Sequence, residues 1–555
     1  MIIEAQDISE IINALAAIDD GDTLVFPENE TLNVENLQLN ISNKSNVTID
    51  FNGSTIVETG IGNRPVGYFA AENCPGLVLN GPKVDMGGSV SSGTNLGYGL
   101  YILNCDNVII NNPEISNTNW DTETYCVYVG FSNFAKINGG LMKNGKRGIV
   151  RFQSCDTAEI EDSELVYDNG LSPSTNAGRF VNFETTAGTL DATSWKIKNI
   201  VCTATEDMPP NQCGINFNPV NNVGSVLFAE IDGLVMSNPN FDSSLGNNYP
   251  IKIEDGHQIN YKNMTYTDVP CLEALRARNM YNGAVVNVEN CEFHRGNITV
   301  SGKSINHVCS LNIKNTKFLN TDNPEGAILI SGSTRFIIDV DSDTEFRELG
   351  GNSGSTRYFF NSNVNYSHAD SCNFDCSIYC GSGSGLKCIF RRSSRLGNMR
   401  LGPNFKVYPG GGTTILAFDL GLAVPGGSRL AVTDDRGHGR LNMLLNQWLD
   451  GAEGRHEIWP NISTTTNRHQ VVNGKPAGVF ATEGDIIINT TLVNGLEQFW
   501  VYTSGSWRTP PNELFRPFEV VEWEALDKSG NIVHIGSTPI GNITRSGQKK
   551  IKRLN

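Results

Sequence analysis

Three stretches of the chain, VNVENCEF (286–293), LNIKNTKF (311–318) and IDVDSDTEF (338–346), repeat one pattern at intervals of 25 and 27 residues. Each alternates apolar and polar residues, passes through a small polar turn and ends in Phe. Alternation with a period of two indicates a short β-strand with one buried face. A unit of this size cannot bury its own apolar face, so successive units must stack on one another.

The same kind of stretch recurs along most of the chain at spacings of 23 to 37 residues. The twelve stretches begin at Val47, Leu77, Val108, Ala135, Ala158, Trp195, Ala229, Ile259, Val286, Leu311, Ile338 and Val364. A second series of alternating stretches precedes them, at 67–73, 99–104, 126–130, 148–153, 179–184, 214–219, 250–255, 297–302, 327–332 and 358–363. Two strands per turn without intervening helices predict an all-β parallel β-helix of about twelve turns.

Composition agrees with a chain of strands and turns. The 555 residues include 57 Gly, and only 18% are charged, which disfavours long helices. The net charge of −17 argues against nucleic-acid and anionic-membrane partners. No run of 18 apolar residues occurs, so we expect no membrane insertion. The 13 cysteines form no metal-ligand pattern, and we expect neither a metal nor a cofactor.

The two ends of the chain differ from the repeats. Residues 7–18, DISEIINALAAI, have helical spacing, with Asp7 or Ser9 as N-cap, and a solenoid needs such a cap over its open end. The start of the chain lacks the basic and apolar regions of a secretory signal, so we expect synthesis in a cytoplasm with reduced thiols. We therefore expect a cap and entry strands in residues 1–30, the β-helix in 31–405, and a smaller β-rich domain in 406–555.

The C-terminal region contains one stretch with a clear pattern. EGDIIINTTLVNGLEQFWVYTSGSWR (483–508) alternates turns with two short apolar strands and closes on Trp507. This pattern predicts a β-meander. It resembles a small module of tailspike-like and surface-glycan β-helix proteins, in which terminal β domains assist trimer formation or add a binding surface.

The N-terminal helix, followed by GDTLVFPENETLNV (21–34) and NVTIDFNGSTI (46–56), resembles the opening of pectate-lyase-like right-handed β-helices. That superfamily includes polysaccharide lyases, polygalacturonase-type hydrolases and bacteriophage tailspikes. The resemblance covers roughly residues 1–400 and implies a right-handed β-helix. It also implies a sugar-binding face, because stacked turns form a long surface that matches a linear polymer.

The outward positions of the second series offer such a face. Aromatic, amide and charged side chains suit sugar stacking and hydroxyl recognition. The predicted substrate-binding residues are Tyr101, Tyr128, Arg151, Asn182, Asn216, Asn218 and Lys252. The alternative interpretation of this column is an inert polar surface or a contact between subunits.

Glycoside hydrolysis needs two carboxyl groups. Glu184 and Glu254 occupy equivalent positions two turns apart, roughly 9–10 Å between backbones at about 4.8 Å per turn. They are the predicted catalytic pair, with Asp168 and Asp255 in reserve. A lyase would instead use a base such as Lys252 or Arg151.

The resemblance and the absence of a secretory signal together indicate a bacteriophage tailspike or tail-fibre-like virion protein. We expect a homotrimer, attached to other tail proteins, that grips or cuts a host cell-surface polysaccharide. Two alternatives stay open. One is a free bacterial polysaccharide lyase or glycoside hydrolase, and the other is a structural or decoration protein of the virion without a ligand.

Overall fold

The computed structural model describes the chain except for residues 36, 60–65, 87–96, 117–124, 146, 169–178, 186–190, 205–212, 220–224, 238–248, 268, 270, 272, 295, 305, 320–325, 333–334, 350–356, 363–367, 381–386, 393–397, 402–405, 409–414, 420–430, 435–458, 462–468, 473–485, 490–498, 504–505, 509–519, 527–531, 540–549 and 555. Three long parallel sheets, here called A, B and C, form a right-handed parallel β-helix. The fold predicted from the repeats is confirmed.

Each sheet gathers one short strand from every turn. Sheet A contains Ile2–Glu4, Thr23–Val25, Thr48–Asp50, Val78–Asn80, Val108–Asn111, Phe134–Asn138, Thr157–Glu161, Ala192–Lys198, Val226–Asp232, Gly256–Lys262, Val285–Glu289, Val308–Lys314, Arg335–Val340, His368–Phe374, Asn398–Leu401 and Ala431–Asp434. Sheet B contains Thr31–Val34, Thr55–Glu58, Lys83–Asp85, Glu114–Ser116, Leu141–Lys143, Glu164–Tyr167, Val201–Ala204, Val235–Ser237, Thr265–Thr267, Glu292–Phe293, Lys317–Phe318, Glu345–Leu349, Ser377–Cys380 and Lys406–Tyr408. Sheet C contains Leu39–Ser42, Gly67–Glu72, Tyr98–Leu103, Tyr125–Gly130, Gly148–Gln153, Arg179–Thr185, Cys213–Pro219, Tyr249–Glu254, Glu273–Met280, Asn297–Gly302, Ile328–Gly332, Arg357–Ser362, Lys387–Arg392, Ile415–Asp419 and Trp459–Asn461.

The chain runs from sheet C to A to B and back to C, and each strand pairs with the strand one turn later. The prediction of two strands per turn is wrong, because the structure has three. The missed strands are those of sheet B, which are only two to five residues long. Strand pairing also continues beyond residue 405, through Lys406–Tyr408 and Ile415–Asp419.

A left-handed turn between sheets A and B explains the repeated pattern. In VNVENCEF, the strand Val285–Glu289 ends, Asn290 adopts φ +54°, and the strand Glu292–Phe293 follows. Asn263 and Asn315 take the same position in the neighbouring turns. Asn tolerates this backbone better than other residues that carry a Cβ. These side chains also bond to one another, Asn315 Nδ2 donating to Asn290 Oδ1 at 2.8 Å.

Aromatic side chains stack in columns through the core. The Phe that closes each repeat lies inside sheet B, with ring centroids of Phe293 and Phe318 5.2 Å apart and those of Phe318 and Phe346 4.7 Å apart. Cys74, Cys105 and Cys155 are also buried, with the Cys74 N–H donating to Cys105 Sγ at 3.1 Å. The ten described cysteines are free thiols.

Helix α1 (Ile8–Ala17) contacts the first strand of sheet C and lies over that end of the β-helix. The Asp7 side chain accepts from the Glu10 N–H, so Asp7 is the N-cap. Ile11, Leu15 and Ile18 are buried as their spacing predicts, while Ile12 is 39% exposed. Among the described residues, no helix is long and apolar enough to cross a membrane.

Two small sheets follow in the C-terminal region. One joins His469–Val472, Ile486–Asn489, Phe499–Thr503 and Ser506–Arg508. Its last three strands pair antiparallel, which confirms the predicted meander. The other joins Val520–Leu526, Ile532–Pro539 and Lys550–Leu554. The assignment of residues 406–555 as a separate domain stays a prediction.

Candidate functional site

The outer face of sheet C brings most of the predicted site residues into one register. The backbone positions of consecutive strands pair as a column of Tyr101, Tyr128, Arg151, Asn182, Asn216 and Lys252. The residues that flank this column in each strand, such as Val150 and Phe152, point into the core. The column therefore lies outside the β-helix, as the alternation predicts.

Four tyrosines of this face form a stacked cluster, here called the tyrosine slab: Tyr98, Tyr101, Tyr125 and Tyr128. Ring centroids lie 5.4 Å apart for Tyr98–Tyr101 and 5.2 Å apart for Tyr101–Tyr128, and both pairs are stacked. Tyr98, Tyr125 and Tyr128 are buried, and burial raises the pKa of all three. Tyr101 is half-buried, so its ring is the most accessible part of the slab.

Glycines on this face leave room for the rings. A Cβ at Gly148 would lie 2.4 Å from Tyr125 Cε1, and a Cβ at Gly67 would lie 2.6 Å from Tyr101 Cβ. A Cβ at Gly130 would lie 2.6 Å from the Tyr128 hydroxyl oxygen. The slab therefore depends on small residues both in the neighbouring strands and, at Gly130, in the strand that carries Tyr128 itself.

A hydrogen-bond network continues the column beyond the slab. Arg151 Nη2 lies 2.5 Å from Glu184 Oε1, and Asn182 Nδ2 donates to Glu184 Oε2 at 2.6 Å. Asn216 Nδ2 in turn donates to Asn182 Oδ1 at 2.8 Å. Asn182 and Asn216 are buried, although the alternation of their strands places them on the outer face. Burial works to lower the pKa of Arg151, but the Glu184 carboxylate together with Tyr125 and Tyr98 outweighs it and the net shift is upward.

Both predicted catalytic carboxylates lie on this face, and each has a basic partner. Glu184 pairs with Arg151, and Glu254 Oε2 lies 3.0 Å from Lys252 Nζ. Asn218 pairs with Glu184 across the strands, and the strand carrying Glu254 follows. The two glutamates are two strands apart, about 9–10 Å between backbones. The catalytic role stays a prediction.

The two reserve aspartates lie away from this face. Asp168 follows a sheet B strand, where it accepts from Asn144 Nδ2 at 2.9 Å and lies 3.1 Å from Lys143 Nζ. The Asn144 amide, assisted by Lys143, holds the pKa of Asp168 below its usual value. Asp255 is buried at the corner between sheets C and A, with Lys303 Nζ 2.6 Å away. Burial raises the Asp255 pKa, although Lys303 opposes the shift.

A strand that the sequence reasoning missed, Glu273–Met280, adds three charged residues to the face. Arg276 pairs in register with Lys252, and Arg278 with Glu254. The Arg276 guanidinium lies 4.0 Å from the centroid of the Tyr249 ring, and its Nε lies 3.6 Å from Glu273 Oε2. The alternation in EALRARNM (273–280) was the available signal, 24 residues after the preceding strand begins.

Another outward column was also missed, at the start of the sheet C strands. Tyr98, Tyr125, Gly148 and Arg179 pair in consecutive strands. Strict alternation would place these residues inside. Instead, the strands begin at a corner where two consecutive residues, such as Cys126 and Val127, both enter the core. Two consecutive apolar residues near the start of several strands, such as Cys126–Val127, Ile149–Val150 and Phe180–Val181, were the signal for this corner.

Among the described residues, no group of three or more His, Cys, Asp or Glu side chains is arranged to hold a metal ion. The described part of the face presents aromatic, amide, guanidinium and carboxylate groups. Such a surface can stack on sugar rings and bond to hydroxyl and acidic groups.

No protein-family model matches the chain, and no curated protein matches it. Three chains of solved structures match. One is an arginine-to-alanine mutant of the PL6 family alginate lyase AlyGC, at 9% identity and a TM-score of 0.17, covering 78% of this chain and 98% of that one. At these values the likeness carries no argument about activity, and the fold assignment rests on the strand pairing itself.

Proposed function

We propose that the chain binds a linear polysaccharide along the outer face of sheet C. The observation that carries this proposal is the continuity of the face. The tyrosine slab, the Arg151–Glu184 pair and the Lys252–Glu254 pair follow one another on neighbouring strands. A ladder of aromatic and hydrogen-bonding groups at a regular spacing suits a ligand made of repeated sugar units.

The ion pairs favour binding of the polysaccharide over its cleavage. A catalytic acid or base must exchange protons with its substrate. Both oxygens of Glu184 already accept hydrogen bonds, and Glu254 is held by Lys252. These contacts fix the carboxylates as oriented, charged binding groups.

We further propose that the protein belongs to a bacteriophage particle, as a tailspike or tail-fibre-like trimer that recognises a host surface polysaccharide. The support is the sequence resemblance together with a β-helix that follows a short N-terminal helix. Negative-stain microscopy of particles labelled with an antibody to this chain tests the location, and analytical ultracentrifugation of the purified chain tests the trimer. Labelling confined to the tail is expected, and an unlabelled particle or a monomer would contradict this assignment.

Binding is tested with an array of bacterial surface polysaccharides and the purified chain. We expect retention of at least one polymer, and a loss of affinity of roughly 3- to 10-fold for Tyr101→Ala, the value of one aromatic contact. Tyr379→Ala is the matched control, because Tyr379 is a half-buried tyrosine beside Arg347 on sheet B. Equal losses in both variants would overturn the assignment to sheet C.

Cleavage is tested separately by measuring the length of the retained polymer, after incubation with the chain, by size-exclusion chromatography. The proposal predicts an unchanged polymer length. Shortening by the native chain that disappears in Glu184→Gln would instead establish the predicted catalytic role of Glu184.

A further inference from the structure

Cys74 and Cys105 occupy the same position in two consecutive turns of the β-helix. Each cysteine lies two residues after a sheet C strand, Gly67–Glu72 or Tyr98–Leu103, and these two strands pair in register. In both turns the residue between strand and cysteine is an Asn in the left-handed region. The two turns therefore stack cysteine on cysteine at the corner between sheets C and A, one strand spacing of about 4.8 Å apart.

The two sulfur atoms contact each other. Cys105 Sγ accepts from the Cys74 N–H at 3.1 Å, and the two thiol groups are also hydrogen-bonded to one another. The Cα atoms that a disulfide joins are usually about 4.4–6.8 Å apart, a range that includes the spacing of neighbouring strands. A disulfide between these two residues is therefore compatible with the pairing of their strands.

The column of residues that contains this pair continues with Ser132 and then Cys155, one turn apart. Cys155 is separated from Cys105 by two strand spacings, about 9–10 Å, which is too far for a disulfide. The buried Ser132 also shows that this column accommodates a serine. Cys155 is therefore an internal control for the reactivity of the pair, and serine is a suitable replacement for either of its members.

The hydrogen bond between the two thiols makes them chemically unequal. It lowers the pKa of Cys74 to about 7, and together with burial it raises the pKa of Cys105. Burial raises the pKa of Cys155 to about 12. Since the thiolate is the reactive form of cysteine, Cys74 is the nucleophile of the pair at neutral pH.

The pair is buried, but it lies directly beneath exposed residues. Cys74 is flanked by the exposed Asn73 and Pro75, and Cys105 follows the exposed Asn104. A local opening of this corner therefore admits a molecule close to water in size without unfolding of the β-helix.

We propose that Cys74 and Cys105 form an oxidisable pair, which hydrogen peroxide converts into a disulfide that joins two neighbouring turns of the β-helix. The Cys74 thiolate attacks one peroxide oxygen and breaks the O–O bond, which leaves a sulfenic acid on Cys74 and a hydroxide that takes up the proton Cys74 lost. The Cys105 sulfur then attacks the sulfenic sulfur, the S–O bond breaks, and the hydroxide leaves with the Cys105 proton as water. Two thiols thereby lose two electrons, and one peroxide is reduced to two waters.

The disulfide would join residues 31 positions apart and restrict the unfolded chain. The pair stays reduced in a compartment that keeps thiols reduced, and it is oxidised after the chain leaves such a compartment. This inference is independent of the proposed polysaccharide binding.

The test treats the purified full chain with hydrogen peroxide, blocks the remaining thiols with an alkylating reagent and digests the chain with trypsin without reduction. Lys83 lies between the two cysteines, so trypsin separates them unless a disulfide joins their peptides. We expect mass spectrometry to find peptides 45–83 and 84–136 linked, and dithiothreitol to separate them. Cys155 should stay a thiol under the same conditions.

Cys105→Ser is the matched variant, because Cys126 lies in the same tryptic peptide as Cys105. This variant should give no linked peptides, and circular dichroism first establishes that it is folded. Peroxide should slow proteolysis of the N-terminal turns about 10-fold or more in the native chain, as a disulfide predicts, and leave the rate in Cys105→Ser unchanged.

Three outcomes would overturn the proposal. Oxidation of Cys74 to a sulfinic acid without linked peptides would show that Cys105 does not reach the sulfenic sulfur. Entry of Cys155 into disulfides as readily as Cys74 would assign the oxidation to unfolded chains. Reduced cysteines in the folded chain, at peroxide concentrations that link the cysteines of the chain in urea, would show that burial keeps the oxidant away.

Discussion

Arg151 and Glu184 lie on adjacent strands of sheet C, with Arg151 Nη2 2.5 Å from Glu184 Oε1. Their side chains are 13% and 17% exposed, so the pair is largely withdrawn from water. A charge in such a place is stabilised by its partner and becomes costly when that partner is removed.

Glu184→Gln should therefore lower the free energy of unfolding by about 1–3 kcal/mol, because Arg151 keeps its charge and loses the carboxylate. Urea denaturation measures this loss. Arg151→Met in the Glu184→Gln background should restore part of it, since no unpaired guanidinium then stays behind. Additive losses in the double variant would contradict a coupling between the two side chains.

Gly148→Ala should disturb the tyrosine slab, because its new Cβ would lie 2.4 Å from Tyr125 Cε1. We expect a loss of stability of about 1–3 kcal/mol from overpacking, together with changed tyrosine near-ultraviolet dichroism. Gly130→Ala is the comparison, because its Cβ would meet the far end of the Tyr128 side chain. An equal effect of both substitutions would indicate that Tyr125 is no more constrained than the Tyr128 hydroxyl.

Position 290 should tolerate a substitution of Asn290 by Gly far better than one by Val. Its φ of +54° lies in the left-handed region, where a β-branched side chain is strained. Asn290→Val should cost roughly 1–3 kcal/mol, measured by urea denaturation, whereas Asn290→Gly should lose mainly the side-chain bond that Asn290 accepts from Asn315 and the longer one that it donates to Asn263. Equal stability of the Val and Gly variants would contradict the left-handed turn at this position.

Asp168 should stabilise the fold at neutral pH but not in acid. The Asn144 hydrogen bond, with help from Lys143, lowers its folded-state pKa. A lowered carboxyl pKa stabilises the fold above the unfolded pKa of about 3.9, and this contribution disappears as pH falls through the folded pKa. The stability lost in Asp168→Asn should thus be greatest at neutral pH and shrink below about pH 4. A loss of stability in Asp168→Asn that does not change with pH would contradict this prediction.

The contribution of Asp255 to stability should depend on pH in the opposite direction to that of Asp168. Burial raises its pKa, so the folded state binds a proton more readily than the unfolded state. Its contribution to stability should therefore become more favourable as pH falls through the raised pKa toward about 3.9. Urea midpoints of the native chain relative to Asp255→Asn, taken across this range, measure the slope. A stability difference that declines with acidification would contradict the upward shift.

The period of the repeats was sufficient to predict the β-helix, because alternation and turn residues are local properties. Sheet B was missed because a strand such as Glu292–Phe293 is too short to show alternation of its own. The outward column of Tyr101 and Arg151 follows directly from alternation. Tyr98 and Arg179 do not, because the corner at which their strands begin depends on packing between sheets.

The burial of side chains on the outer face of sheet C could not be predicted from local sequence patterns either. Asn182 and Asn216 occupy outward positions, yet they are buried. The pairing of Glu184 with Arg151 joins residues 33 positions apart. Neither relationship can be read from spacing within one strand.

Helix α1 has a consequence for how copies of this chain behave toward one another. The first turn of a stack of parallel strands presents backbone N–H and C=O groups along an open edge, which can template pairing with another molecule. Ile11 and Leu15 pack into the core at that end, and the helix shields it. A chain lacking α1 should therefore join end to end into fibres, with the ordered growth of an amyloid rather than amorphous precipitation.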